Sequence, residues 1–577
     1  MAHPTSSSSA ERTPLLHQDD SSVTTSSASK SPASSSLPPN EISRAGDDSN
    51  DTEAAPPISR ARGAVIISSV GLLIFLQATN ISILTTTQSA IAADLDAFEK
   101  ASWFTSSYLI AMSSLAPLMG RLSQVFSPRM VMFVSDIVIC IGTIITATSV
   151  SFEMFIAGRI VTGAGAAGML VVASIIAIQM AGPKRRGLFL GLVNTGMTVG
   201  VSLGAVIAGA LEPVIGWKPV FGLQAPLAFI GGIGLLLGIP AGYKSKGNSY
   251  SGLTLRQKLA RIDYSGCLLL IITITLFLLG LSGPRILATP LILSAFALPV
   301  FILNEVYVAR DPVIPITIFK SRGTLLTCLA TVGFMMARWC VLFYSPVYAL
   351  AVRGWKPAVA GSILIPTNAG FASGGLLAGY FHIRRDGSFY GHTLISIFPI
   401  TLFVIGFLST AQSSSALYII MVFLNGLVTG ASLNYALVHL LHLTVPDVHP
   451  VVLSLLATFR GFAGSFGAAI GGGLFGRVLQ KSLVEGFKDA GLNHRGDLVR
   501  RLLGSPALVR LLDGAERQVA THGYEDALRT LFYSGVGLAV VVVFVQAGTG
   551  WNPPVKEVGQ VEEDEEVGGE ESLLGGS

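Results

Sequence analysis

Charged side chains are scarce: Asp, Glu, Lys and Arg make up only 12% of the 577 residues. A water-soluble domain carries roughly 25%, so a chain this poor in charge, and 51% hydrophobic, is not built to keep most of its length in water. Cysteine is rare too. Cys140, Cys267, Cys328 and Cys340 all fall in apolar stretches, at spacings that suggest neither a disulfide framework nor a metal site. His439, His442 and His449 gather near one helix end with only Asp447 beside them, and no paired acidic motif accompanies them. An enzyme, a metal centre and a bound cofactor are therefore not expected, nor is nucleic acid as a partner. The first 60 residues are polar and rich in Ser and Pro, so no cleavable signal peptide is expected and the first spanning helix should serve as its own insertion signal.

What the chain does have is apolar runs of about 20 residues, each long enough to cross a hydrocarbon core of roughly 30 Å. They lie near 63–86, 101–121, 129–149, 153–180, 187–210 and 217–239, then 263–282 and 285–305. The remainder lie near 324–351, 358–380, 389–410, 415–445, 451–478 and 529–549. The expected fold is an all-α integral membrane protein of about 14 transmembrane helices, arranged as six, two and six. The expected boundaries are a disordered N-terminal tail (1–62), a six-helix bundle (63–239), a linker with two inserted helices (240–322), a second bundle (323–550) and an acidic tail (551–577). Within the second bundle, 479–528 reads as a long polar loop carrying short amphipathic helices.

Lys and Arg in the short loops outnumber those on the opposite face by about three to one. Arg121, Arg129, Lys184, Arg185, Arg186, Arg384 and Arg385 lie on the rich side, with the five basic residues of 240–262. Both termini are accordingly expected in the cytosol, and the 479–528 loop on the other side.

Ionisable groups inside spanning helices cost at least about 2.5–3.5 kcal/mol on insertion scales, so each asks for a reason. Arg159 is expected two turns inside the fourth segment, at the depth of Asn80 and Gln77 on the first, where the three can form a hydrogen-bonded cluster. A structural arginine capped by helix carbonyls is the alternative. Arg338 stands among Phe334, Trp339, Phe343, Tyr344 and Tyr348, a cation with aromatics that can line a pocket for a flat solute or simply pack. Arg460 can snorkel or pair with lipid headgroups. Asp136 is the best candidate proton carrier among few acids, with a salt bridge to Arg121 or Arg129 as the competing expectation. Three buried arginines against one well-buried acid favour a neutral or anionic solute. Gly196, Gly200 and Gly204 recur every fourth residue and form a face that admits close helix approach. Gly461 through Gly476 have a similar texture.

Several stretches, taken in order, resemble the major facilitator superfamily, in its fourteen-span drug:proton antiporter branch of fungal type. "WFTSSYLIAMSSLAPLMGRLSQVFSPR" (103–129) looks like the second helix and following loop, "GRIVTGAGAAGM" (158–169) like the fourth-helix signature, and "GMTVGVSLGAVIAGAL" (196–211) like the fifth-helix antiporter signature. "YSPVYALAVRGWKPAVAGSILIP" (344–366) and "TFRGFAGSFGAAIGGG" (458–473) carry the likeness into the second half, with an echo of the loop at "GYFHIRRDG" (379–387). The loop signature, with Gly120, Arg121 and Arg129, has Gln124 where an acid is usual. The antiporter signature has Ala205 for its proline and Ala208 for a glycine, and Asn80 occupies the place of an intramembrane acid.

The resemblance implies a secondary transporter working by alternating access, exporting or sequestering drugs, toxins or secondary metabolites, with protons as the candidate coupling ion and Arg159 implicated in coupling or substrate contact. Relatives of this kind also include vacuolar carriers of basic amino acids. The acids missing at Asn80 and Gln124 would suit a third role, a non-transporting sensor. "ERTPLL" resembles an acidic dileucine signal (Glu11, Leu15, Leu16) read by sorting adaptors, so the vacuolar and plasma membranes are both expected locations, with membrane lipids as surroundings. The glycosylation sequons at Asn50 and Asn80 are expected to stay unmodified, one being cytosolic and the other buried.

Overall fold

A computed structural model describes residues 60–180, 186–240, 254–283, 285–309, 312, 314, 321–381, 390–442, 449–492 and 494–549. The dileucine residues Glu11, Leu15 and Leu16, the acidic tail, most of the N-terminal tail, Arg384 and Arg385 lie outside them, as does the side chain of Gln124.

With no water in a bilayer core, each backbone amide must pair within its own segment, and helices satisfy that requirement. The first segment comprises α1 (Arg60–Ser82) and α2 (Leu84–Asp94). They are separated at Ile83, where Thr86 and Thr87 donate side-chain hydrogen bonds back to its carbonyl, a pattern that bends helices. Next come α3 (Ser102–Val125), α4 (Pro128–Ala147), α5 (Phe152–Met180) and α6 (Arg186–Ile215). Ser127 caps α4 with Pro128 in its first turn. Gly216, at φ +78°, separates α6 from α7 (Trp217–Gly222), which leads into α8 (Gln224–Gly238). A short α9 (Leu255–Ala260) precedes α10 (Tyr264–Ser282) and α11 (Ala288–Leu303). The second half has α12 (Arg322–Val347), α13 (Pro357–Gly361), α14 (Leu364–Phe381), α15 (Tyr390–Phe407) and α16 (Ser415–His442). It closes with α17 (His449–Asp489), α18 (Gly496–Gly504) and α19 (Gly514–Ala547).

Eleven of these stretches are long and apolar enough to cross a membrane, which makes the chain a multi-pass membrane protein. The expected segments over α3, α14 and α15 are not among the eleven. In α3 the hydroxyls of Ser102, Ser106, Ser107, Ser113 and Ser114 dilute an otherwise apolar helix.

In the first half α1 packs on α6 and α8, α4 on α5 and α8, and α3 on α5. In the second, α12 packs on α17 and α19, α14 on α16, and α15 on α16 and α19. The two groups meet along α3 with α17 and α6 with α13 and α14, while α10 and α11 pair with each other and α10 leans on α3 and α17.

The expected loop at 479–528 is largely helical. α17 continues to Asp489 and α19 begins at Gly514, because Leu483, Phe487, Ala520, Tyr524, Ala527 and Leu528 form one buried stripe between them. The polar residues that suggested a loop occupy the opposite face. Only α18 and a short 3₁₀ turn (Pro506–Leu511) link the two long helices.

Candidate functional site

Arg159 is fully buried in α5. Its Nε donates to the Phe104 carbonyl at 3.0 Å, one terminal nitrogen donates to Asn80 Oδ1 and the other to the Asn80 carbonyl at 3.4 Å. The guanidinium lies 4.5 Å from the Tyr108 ring centre and 5.8 Å from that of Phe221, so aromatic faces supply part of its missing solvation. Asn80 in turn donates to Gln224 Oε1 at 2.7 Å. The cluster therefore joins α1, α3, α5 and α8. Gln77 belongs to it differently than expected: it donates to Met112 Sδ at 3.3 Å, not to Arg159. A cavity of about 10 Å³, room for about one water, lies beside Gln77, Asn80, Tyr108, Thr162 and Gln224. Gln77 Oε1 and the Tyr108 hydroxyl face no hydrogen-bond partner among the described residues, which is the polarity a bound water needs. Gln224 and Tyr108 escaped the sequence reading, although Gln224 is the sole polar side chain in an otherwise apolar α8.

Arg338 forms the counterpart in the second half. It is 4% exposed, donates through Nη2 to Asn368 Oδ1 at 2.8 Å, and lies 4.1 Å from the centre of the Phe371 ring. Asn368 then donates to Ser202 Oγ of α6 at 3.0 Å, so this relay crosses from one half to the other. The other terminal nitrogen of Arg338, Nη1, is buried with no hydrogen-bond partner among the described residues. The aromatics expected around it do not share one pocket. Phe334 packs on Phe398, Tyr344 on Phe475 and Tyr348 on Tyr418, all within the second half, while Trp339 and Phe343 stack on each other at 5.4 Å. The difference follows from helix geometry: residues one, five and six positions apart face different neighbours. Trp339 and Phe343 both reach the first half, packing on the cluster of Ile81, Tyr108 and Met112, and Trp339 also packs against Gly464 and Gly467 of α17 and beside Ala78 and Leu364.

Asp136 is 1% exposed in α4, and both of its carboxylate oxygens lack a hydrogen-bond partner among the described residues. The salt bridge to Arg121 or Arg129 is not formed. Arg121 reaches away to the Pro312 carbonyl, and Arg129 buries an Nε that has no partner among the described residues. Asp136 faces Gly232 of α8, where an added Cβ would come within 2.9 Å of Oδ2.

A model of the Major Facilitator Superfamily matches residues 70–468. The chain belongs to the Major Facilitator Superfamily. Relatives include the MFS-type transporter ppz2 of Metarhizium majus, 26% identical over 513 residues that cover 86% of each chain. Another is the efflux pump FUS6 of Gibberella fujikuroi, 25% identical over 497 residues, 83% of this chain and 84% of the relative. Among solved structures, a bacterial homolog of the human lysosomal transporter Spinster, captured inward-facing and unoccupied, superposes with a TM-score of 0.59 at 14% identity. It covers 86% of this chain and 100% of its own. At that identity the likeness speaks to the fold alone.

Within this major facilitator fold the glycine face of α6 has a definite partner. Cβ atoms added at Gly200 and Gly204 would meet the backbone of Phe75 and Thr79, and Gly196 faces Ile74, so the face seats α1 in the same half. Gly464 and Gly467 do the same for α12 on α17. The opposite side of α6 touches the other half, through Ala205 against Gly361 and Gly209 against Ala358. A Cβ added at Gly120 would meet Val171 among the described residues, at an ordinary 3.6 Å. Arg121, lacking an acid at position 124, docks on the segment after α11. Nearby, Asp263 accepts from Ser265, Gly266 and Asn304, and Glu305 accepts from the amide of Ile314. At the far end of the helices, Arg500 of α18 pairs with Asp96 at 3.1 Å and Glu99 at 3.4 Å, and the Gly504 backbone packs on that of Phe98. The hydrogen bond to Asp96, with Glu99 and Asp497 nearby, raises the pKa of Arg500 further. This face of the seam is thus closed by contacts between halves.

Proposed function

We propose that the chain is a secondary active transporter that exports or sequesters small organic molecules by alternating access, coupled to protons. The buried relay Arg338–Asn368–Ser202 carries this reading. A polar chain spanning two groups of helices inside apolar surroundings costs stability unless it has a use, and it lies where the halves must part to open a path. The names of the relatives, a transporter and an efflux pump, support export of organic compounds. Arg159, Arg338 and Arg460 without a carboxylate partner among the described ion pairs favour neutral or anionic solutes. The same balance gives no support to a carrier of basic amino acids, whose cationic side chains need a counter-charge on leaving water.

Asp136, buried and without a hydrogen-bond partner among the described residues, is the residue we assign to carrying the proton. The two groups of helices serve as the moving halves, the loop residues Gly120, Arg121, Gln124 and Arg129 lie at the cytosolic hinge, and both termini face the cytosol. Reconstitution into proteoliposomes with an imposed proton gradient tests the whole. Uptake of an organic solute that collapses on adding a protonophore is expected. Binding without flux would instead leave a sensor.

A further inference from the structure

We infer that Arg338 and Arg460 together form an anion-binding site that takes the carboxylate, or a similar acidic group, of the transported solute. The inference rests on the transport reading above for its occupant, though not for its chemistry. The two buried arginines of the halves differ in one respect. Every nitrogen of Arg159 is engaged by Phe104 and Asn80, which makes it a finished structural cluster. Arg338 is not finished: Nη1 is enclosed with no acceptor among the described residues. A buried charged donor left unpaired keeps its full desolvation penalty, and such a defect is expected where a ligand completes the set.

A second observation points the same way. Arg460 of α17 stands one turn before Gly464, which packs on Trp339 next to Arg338 in the chain, so a second cation belongs to the same α12–α17 contact; it is only partly buried and makes no hydrogen bond to a described residue. Two like charges held together in a low-dielectric region are mutually unfavourable. An anion between them removes both the repulsion and the unpaired donor. Both arginines belong to the second half and lie along the seam, since α17 meets α3, and Asn368, the partner of Arg338, is bonded to Ser202 of the first half. Parting the seam breaks the Asn368–Ser202 bond and opens room beside Arg338 at the same moment. Phe371, and Trp339 stacked on Phe343, offer ring faces for the body of the solute. The solute class is therefore an organic acid with a flat apolar part.

Benzoate joins a carboxylate to such a ring, and benzamide is its neutral counterpart. The full-length protein, purified in detergent, is melted with sodium benzoate, benzamide or sodium chloride at matched concentration, for the wild type, Arg338→Gln, Arg338→Lys and Arg460→Gln. Benzoate is expected to raise the wild-type Tm and benzamide to leave it unchanged. Arg338→Gln should abolish the shift, Arg338→Lys should keep part of it, and Arg460→Gln should weaken benzoate about tenfold or more. Equal shifts from benzoate and benzamide, or a benzoate shift surviving in Arg338→Gln, overturn the site, and the wild-type comparison needs no variant to fold. A chloride shift matching that of benzoate assigns the site to an inorganic anion and overturns the solute. If benzoate binds through Arg338 but no solute is carried in proteoliposomes, the transport reading fails while the anion site stands. If solutes are carried with no preference for acids, the reverse holds.

Discussion

At the scale of single residues, the chain places its costly groups in two clusters and treats them differently. Arg159 needs the planar fork of a guanidinium to reach Phe104 O and both oxygens of Asn80. A lysine is a point charge with one nitrogen and cannot serve all three. Arg159→Lys is therefore expected to cost about 1–3 kcal/mol of stability, read as a lower Tm in detergent; an unchanged Tm would sink the structural role. For Asp136, replacement by Asn keeps the shape and removes the exchangeable proton. Asp136→Asn is expected to preserve solute exchange down its own gradient while abolishing the response to an imposed pH difference. A variant still driven by protons would move the coupling elsewhere. The sequence announced Arg159, Asn80 and Asp136 because a polar side chain in an apolar run has few innocent explanations. It could not announce that Asn80 answers Arg159 while Gln77 turns to Met112, since rotamer and partner depend on neighbours 35 to 79 positions away.

At the scale of elements, apolar length pointed to helices throughout, eleven of which are long and apolar enough to cross a membrane among the described residues, but it misjudged one region. The stretch 479–528 looked like a polar loop because its buried stripe is narrow and its other face is charged. Packing of α17 on α19 extended long helices into a stretch where the sequence suggested only short amphipathic ones. The short elements between them have consequences for opening. Arg500 is ion-paired with Asp96 and Glu99 across the seam, and exposed pairs of this kind contribute little by themselves. Their position matters more than their strength. A double variant, Asp96→Cys with Arg500→Cys, is expected to lose transport on oxidation and to regain it with reductant, because the halves can no longer part there. Transport that persists in the cross-linked protein would show that this end need not open.

At the scale of the whole molecule, charge asymmetry predicts that tags on both termini are accessible from the cytosol, and the dileucine at Leu15 and Leu16 predicts an address. In a fluorescent fusion, replacing both leucines by alanine is expected to raise the share of the protein at the plasma membrane; identical distributions would dismiss the signal. Composition and the order of its signatures were enough to determine a helical membrane protein of the major facilitator type. Hydrophobic length and local motif are properties of contiguous residues, so no folding is needed to see them. What only the tertiary structure decided was partnership: that the glycines of α6 seat α1, that Arg121 docks on the segment after α11, and that Arg338 and not Arg159 holds an unfilled donor. Those outcomes depend on which faces of distant helices meet, and in a bilayer that is settled by close packing and the pairing of buried polar groups, neither of which is written in any one segment.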